Sequence, residues 1–250
     1  MNRKERKLVA TVFITCVMFG VSPRVNAMHI MEGYLPAGYC IAWGILCIPF
    51  LLAGFLQIRK RLRDDGRSIT LLAMSGAFIF VISSLKIPSV TGSCSHMTGT
   101  GLGAILFGPC MTGILGCIVL LFQAVLLAHG GLTTLGANAF SMAIAGPALT
   151  WLLYLFCKKC RIRKRVSVFL AAALGDLFTY CVTSIQLAVA FPSPQGGVAV
   201  SLMKFLGVFA PTQFPLAILE GVLTVLIVIG LEVYARPELQ ALEAEKGEAS

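Results

Sequence analysis

The chain has 250 residues, of which 57% are hydrophobic and only 12% are charged. This composition excludes a water-soluble domain and indicates an integral membrane protein. A formal net charge of +9 could suggest nucleic-acid binding, but after residue 27 the basic residues concentrate at 59–67 and 158–165. Cytoplasmic loops of membrane proteins are enriched in Lys and Arg, so we expect no nucleic-acid partner.

Residues 1–27 have the pattern of a secretory signal peptide. A charged run at residues 3–7 precedes an apolar stretch at residues 8–21, and small residues close the segment at Ala27. The apolar stretch is short for a membrane span, which needs about 20 residues. We expect cleavage after Ala27, which makes Met28 the first residue of the mature chain. An uncleaved first helix is the alternative.

Seven apolar segments follow along the chain. They cover residues 37–57, 69–85, 101–107, 112–128, 137–156, 166–191 and 214–233. The third segment is too short to cross a membrane, and how residues 101–128 divide into helices is left open. The first and fifth segments end at the two basic loops, which predicts an outside N-terminus and an inside C-terminus.

The predicted fold class is therefore all-α, a polytopic membrane helical bundle of about seven transmembrane segments. Residues 28–235 are expected to form one integral membrane domain in the cell membrane. Residues 236–250 are polar and acidic, and they are expected to form a cytoplasmic tail.

Three histidines occur in the chain, and the predicted topology places His29, His96 and His129 on the outer side. After cleavage, His29 is the second residue and offers one metal ion three nitrogens: the Met28 amine, its own amide and its imidazole Nδ1. Together with a fourth nitrogen from His96, these donors would form a plane, the geometry expected of Ni(II) or Cu(II). Zinc prefers a tetrahedron.

Simpler explanations stay open for each of these residues. His29 could be a flexible terminal residue, His96 could bond to a neighbouring carbonyl, and His129 could be an interfacial side chain. In the metal hypothesis, His129 is a possible accessory ligand. Cys94 is a second possible accessory ligand because a thiolate offers soft sulfur.

Three segments then carry a resemblance to a known family. Residues 28–36 read MHIMEGYLP, residues 92–104 read GSCSHMTGTGLGA and residues 120–138 read LLFQAVLLAHGGLTTLGAN. Through them the chain resembles the CbiM/NikM family, the substrate-binding (S) components of energy-coupling-factor transporters for cobalt and nickel. The resemblance covers nearly all of the mature chain. It implies the S-component fold, with the metal bound by Met28, His29 and His96.

The resemblance also implies partners. In this family a membrane coupling (T) subunit joins the S component to separate ATPase subunits, and a small CbiN-like membrane subunit is an accessory. The chain has no Gly-x4-Gly-Lys-Ser/Thr loop, so we expect a transporter subunit and no enzyme. No cofactor is expected to be permanently bound. The GSCSH loop resembles the cobalt branch, which predicts Co²⁺ import for cobalamin synthesis, with Ni²⁺ as the alternative.

Three rival functions fit parts of the same sequence. A proton-coupled secondary transporter would use Asp176 or Glu220, because carboxylates inside a membrane are costly and often functional. These two carboxylates could equally be hydrogen-bond partners of a neighbouring helix. An intramembrane hydrolase built on Ser141 and His129 lacks a recognisable motif. A purely structural subunit would bind no metal tightly.

Overall fold

The computed structural model describes residues 29–64, 68–88, 94–240 and 242. The predicted signal peptide and Met28 lie outside the described residues, as does most of the tail predicted at 236–250. The cleavage site and the terminal amine are therefore outside them too.

The described residues are mostly helical, which confirms the predicted fold class. The helices are α1 (Ala37–Asp64), α2 (Ser68–Ser84), α3 (Thr100–Phe107), α4 (Pro109–Leu126), α5 (Leu135–Asn138), α6 (Gly146–Lys159), α7 (Lys164–Ala190) and α8 (Gly197–Tyr234). A π-helical turn, Ala139–Ala145, joins α5 to α6. Two short strands, β1 (Ile87–Pro88) and β2 (Cys94–Ser95), pair antiparallel before α3.

Five helical stretches are long and apolar enough to cross a membrane. They are Ala37–Arg63, Pro109–Leu126, Leu135–Lys159, Lys164–Ala190 and Gly197–Tyr234. The stretch Ile69–Ser84 is apolar but shorter, and α3 has eight residues. Each of the seven predicted segments thus contains a helix, but the count of seven spans stays a prediction, as does the orientation of the termini.

Residues 101–128 divide into two helices at Gly108. Its φ of 86° lies in the left-handed region that glycine adopts without strain, and it separates α3 from α4. Pro109 follows in the first turn of α4, where a missing N–H costs nothing. The result is a short buried helix followed by a full-length one.

Described residues beside both predicted basic loops lie at one end of the bundle. A cavity of about 920 Å³ is lined by Gln57 near the end of α1, by Lys158 at the end of α6 and by Lys164 at the start of α7. The N-terminal segment lies by the other end of α1. There Ile30 and Leu35 pack in an apolar cluster with side chains from other helices, including Leu187.

Candidate metal centre

The structure brings His29, His96 and His129 together inside the protein. One nitrogen from each ring lies within 4.8 Å of the others, and each side chain is 2% exposed or less. The ring centroids of His29 and His96 are 4.4 Å apart, and those of His29 and His129 are 4.6 Å apart. The rings come from three separate segments: the N-terminal segment, the loop before α3 and the turn after α4.

The N-terminal segment is held by the side chain of Asn138, at the end of α5. Asn138 Oδ1 accepts a hydrogen bond from the Ile30 N–H at 2.8 Å, and Asn138 Nδ2 donates to the Ile30 carbonyl at 3.0 Å. The hydroxyl of Thr134 donates to the same carbonyl at 2.6 Å. Asn138 thus pairs with the Ile30 backbone as a neighbouring strand would, and this places the preceding residue, His29.

Two glycines after His129 allow this segment to approach closely. A Cβ on Gly131 would lie 2.5 Å from Glu32 Cα, where there is no room for it. Gly130 has a φ of 77°, and its carbonyl accepts a hydrogen bond from the Glu32 N–H at 3.3 Å. The Gly130-Gly131 pair therefore serves as a backbone surface on which the N-terminal segment lies.

A buried glutamine determines which nitrogen of His29 carries the proton. Gln123 Nε2 donates to Ser83 Oγ at 2.7 Å, and the Ser83 hydroxyl donates in turn to the carbonyl of Ile79. The carbonyl oxygen of Gln123 must then face His29, whose Nε2 lies 3.3 Å away and donates to it. His29 Nδ1 is left with a free lone pair.

The ring of His96 is oriented in the same way by the backbone. Its Nδ1 lies 2.8 Å from the Met97 carbonyl, an acceptor, so Nδ1 carries the proton. Its Nε2 therefore has a lone pair, and this atom lies 3.3 Å from His29 Nδ1. Two lone pairs face each other, an arrangement that a cation between them would stabilise.

The distance between these two nitrogens suits a shared ion. Metal-to-imidazole bonds are about 2.0–2.1 Å long, so two such ligands stand about 2.9 Å apart at a right angle and about 3.4 Å apart at a tetrahedral angle. The observed 3.3 Å lies within this range. His29 Nδ1 is also the imidazole nitrogen that the proposed N-terminal chelate requires.

His129 completes the cluster from the end of α4. Its backbone N–H donates to the backbone carbonyl of Gln123 at 3.1 Å. Ala128, just before it, has a left-handed φ of 46°. His129 Nε2 is buried and has no hydrogen-bond partner among the described residues. A buried nitrogen without a partner beside two imidazoles is a suitable additional ligand.

Burial keeps all three imidazoles neutral. Loss of hydration lowers the pKa of His96 to about 4 and, with His96 nearby, that of His129 to about 3. The same loss of hydration, with repulsion from His96 and His129, lowers the pKa of His29 well below its usual value. A neutral imidazole is the form that binds a metal, so the three rings need to lose no proton at pH 7.

The other predicted candidates lie differently. Met28 is outside the described residues, and of Cys94 only the backbone, in β2, is described. Asp176 and Glu220 do not join the cluster. They are buried behind the loop of His96, where Glu220 accepts hydrogen bonds from Thr98.

Sequence reasoning did not identify the residues that hold the three histidine-bearing segments in place. Gln123 and Gln213 were not among the predicted site residues, and neither was Asn138. The available signal was an amide side chain inside an apolar run, as in LLFQAVLL, because such a group needs a buried partner. The partners themselves lie about a hundred positions away, beyond the reach of local patterns.

Comparison with known proteins identifies the family of the chain. A family model described as "Cobalt uptake substrate-specific transmembrane region" matches residues 29–239. A "Cobalt transport protein CbiM" of Lachnoclostridium phytofermentans is 66% identical over 247 residues, which is 99% of each chain. A protein of the same name from Chlorobium limicola is 60% identical over 88% of this chain and 86% of its own.

Two solved structures have a similar fold. One, described as a truncated transition metal transporter, has a TM-score of 0.73 and 26% identity, and the match covers 82% of this chain and 99% of that one. The other, a transition metal transporter, has a TM-score of 0.71 and 27% identity, over 82% and 92% of the two chains. The expected resemblance and the multi-pass membrane location are confirmed: this chain belongs to the CbiM family of membrane transport proteins.

Proposed function

We propose that the chain is the substrate-binding subunit of an ATP-driven cobalt importer, and that it captures Co²⁺ at the three-histidine cluster. The observation that carries the proposal is the distance of 3.3 Å between His29 Nδ1 and His96 Nε2. Each of these nitrogens has a free lone pair that faces the other. Signal cleavage after Ala27 would add the Met28 amine and the His29 amide to the same ion. His129 supplies a further nitrogen.

The burial of the cluster supports capture rather than loose surface binding. Three neutral imidazoles with prearranged lone pairs give a site that loses little freedom when an ion enters. Imidazole suits late first-row ions in general, so these donors alone do not separate Co²⁺ from Ni²⁺. Cobalt is preferred because the relatives described above are named cobalt transport proteins. Nickel is the alternative within the same site.

Energy would come from partner subunits. We propose a membrane coupling subunit, ATPase subunits and a small CbiN-like subunit, as the family resemblance implies, with delivery of cobalt to cobalamin synthesis. The rival is proton-coupled transport through Asp176 or Glu220. Uptake that stops when the partner ATPase is deleted supports the proposal. Uptake that survives the deletion and collapses with an uncoupler supports the rival.

The direct test is metal binding by purified mature protein. His29→Ala and His96→Ala are each expected to abolish stoichiometric binding of Co²⁺ and Ni²⁺, because each removes one of the two facing nitrogens. His129→Ala is expected to weaken binding without abolishing it. Thr183→Val is the control, because Thr183 is buried and its hydroxyl donates within its own helix. Near-normal affinity in both His29→Ala and His96→Ala would refute the site.

A second variant tests the terminal amine. One residue inserted before Met28 in the mature chain moves the amine out of the chelate, and we expect affinity to fall strongly. Mass spectrometry of the purified chain must first show the processed terminus. Unchanged affinity after the insertion would exclude the amine as a ligand while leaving the histidine cluster in place.

A further inference from the structure

Two carboxylates are buried in the bundle outside the histidine cluster. Asp176 on α7 and Glu220 on α8 are each 1% exposed. Ionisable groups inside a membrane protein are costly, so their presence calls for a role. Their hydrogen bonds show where that role lies, because both lead to the backbone of the loop that carries His96.

Glu220 binds Thr98 through both of its oxygens. Oε2 accepts from the Thr98 N–H at 2.6 Å, and Oε1 accepts from the Thr98 hydroxyl at 2.8 Å. The Thr98 N–H belongs to the same peptide group as the Met97 carbonyl. That carbonyl is the group that accepts the Nδ1 proton of His96. A continuous series of hydrogen bonds therefore runs from the Glu220 carboxylate through one peptide group to the imidazole.

Asp176 reaches the preceding peptide group through a glutamine. Its Oδ2 accepts from Gln213 Nε2 at 2.6 Å, and the same nitrogen lies 3.4 Å from the His96 carbonyl. The two peptide groups that flank Met97 are thus held from two sides by neighbouring carboxyl groups, one by Glu220 directly and one by Asp176 through Gln213. With both planes fixed, the carbonyl that orients the His96 ring cannot turn away.

We propose that Glu220 and Asp176 are positioning residues for the metal ligand His96, acting through the two peptide groups on either side of Met97. This inference rests on the proposed function. Ligand histidines commonly donate their second N–H to a carboxylate or a carbonyl, which fixes the tautomer and makes the ligand nitrogen more basic. Here the Met97 carbonyl accepts the hydrogen bond from His96 Nδ1. The Glu220 carboxylate accepts from the N–H of the same peptide group and thereby polarises that carbonyl.

The network predicts a specific outcome for Glu220→Gln. Thr98 presents two donors to this side chain, and a glutamine offers only one acceptor, so its amide nitrogen would meet a donor. The Met97–Thr98 peptide then shifts, and with it the His96 ring. We expect cobalt affinity to fall about 10- to 100-fold, the usual range for a partner of a ligand histidine. The visible absorption spectrum of bound Co²⁺ should change as well.

A double-mutant cycle with Thr98→Val checks that the effect passes through Thr98. Valine removes the hydroxyl donor, so the glutamine introduced in the double variant would turn its oxygen to the remaining N–H. Affinity of Thr98→Val/Glu220→Gln should therefore exceed that of Glu220→Gln alone. If Glu220→Gln does not fold, the double variant still tests the proposal: binding within about tenfold of that of Thr98→Val supports it, and binding more than about tenfold weaker overturns it.

Asp176 allows a test by conservative rescue. Asp176→Leu leaves the Gln213 amide without its acceptor and should weaken cobalt binding, whereas Asp176→Asn keeps an acceptor oxygen and should restore most of the affinity. The matched control is Thr224→Val. Thr224 is buried one turn from Glu220 on the same helix, and its hydroxyl has no hydrogen-bond partner among the described residues.

The outcomes separate this inference from the proposed function. Loss of binding in His96→Ala with unchanged affinity and spectrum in Glu220→Gln would overturn the positioning role alone. Full binding in both His29→Ala and His96→Ala would overturn the site itself. If Thr224→Val weakened binding as much as Glu220→Gln, the effect would reflect helix packing, and the positioning role would be refuted.

Discussion

Gln123→Leu is the substitution whose effect on metal binding follows most directly from the hydrogen bonds of the centre. Gln123 Oε1 accepts the Nε2 proton of His29, which leaves Nδ1 free for an ion. Leucine removes this acceptor from a fully buried position. His29 can then place its proton on Nδ1 and donate it to His96 Nε2, which lies 3.3 Å away. That hydrogen bond would occupy both nitrogens proposed as ligands.

The cost of binding follows from this rearrangement. To accept an ion, the variant must break the new hydrogen bond and return the proton to a buried Nε2 that has no partner, which costs about 1–3 kcal/mol. Since about 1.4 kcal/mol is a factor of ten, cobalt affinity should fall about 5- to 150-fold. Gln123→Glu keeps an acceptor towards His29, so it should bind at least as tightly as the unsubstituted chain.

The assay is a titration of purified protein with Co²⁺ against a competing chelator, with thermal unfolding recorded in parallel. Thr183→Val serves as the control for loss of a buried polar group whose hydroxyl donates within its own helix. Equal affinity in Gln123→Leu and the unsubstituted chain, with both folded, would refute the assignment of the His29 proton. So would an equal loss in Gln123→Glu and Gln123→Leu, because only one of them lacks the acceptor.

Two further predictions concern the N-terminal segment. Gly131→Ala places a Cβ 2.5 Å from Glu32 Cα and must displace the N-terminal segment, so cobalt affinity should fall at least about tenfold. Gly207→Ala is the control, because its Cβ meets nothing within 4 Å and cobalt affinity should stay unchanged. Equal affinities in the two variants would contradict the close approach. The number of protons released on cobalt binding tests the proposed chelate of the Met28 amine and the His29 amide. Because the pKa of His96 is about 4 and that of His129 about 3, these imidazoles are already neutral above pH 5 and release no proton when the ion binds. A terminal amine has an ordinary pKa of about 7.7–8.0, so amine and amide together should release nearly two protons at pH 7, and affinity should rise about 100-fold per pH unit from pH 5 to 7. Calorimetry in buffers of different ionisation enthalpy measures this number, and a value near zero would leave only the imidazoles as ligands.

Local sequence patterns predicted the helices well because each span must satisfy its backbone internally. They failed at α8, where the apolar segment was expected from residue 214 and the helix begins at Gly197. Pro211 and Pro215 lie inside that helix, although proline usually interrupts one. Membrane helices tolerate proline where neighbouring groups satisfy the freed carbonyls, and those neighbours cannot be read from the local sequence.

The sequence indicated which histidines to consider as ligands, but it did not indicate the side chains that support them. The chain has only three histidines, and the predicted topology placed all of them on the outer side, with His29 and His96 as ligands and His129 as a possible accessory. Which polar residue would meet which loop could not be inferred, because Asn138 and Ile30 are 108 positions apart and Glu220 and Thr98 are 122 apart. Such pairs depend on how the helices pack, and a single sequence contains no direct record of it.

The supports share one physical logic. Each histidine lies in a non-helical segment, and non-helical backbone inside a membrane protein needs partners for its N–H and C=O groups. The side chain of Asn138 satisfies Ile30, that of Glu220 satisfies Thr98, and that of Gln213 donates to the His96 carbonyl. Each of these polar side chains, costly in an apolar helix, thereby fixes the backbone within two residues of a proposed ligand histidine or at that histidine itself. The same side chains therefore satisfy the backbone N–H and C=O groups and position the proposed ligand histidines. A substitution that removes one of these side chains should disturb metal binding before it unfolds the bundle.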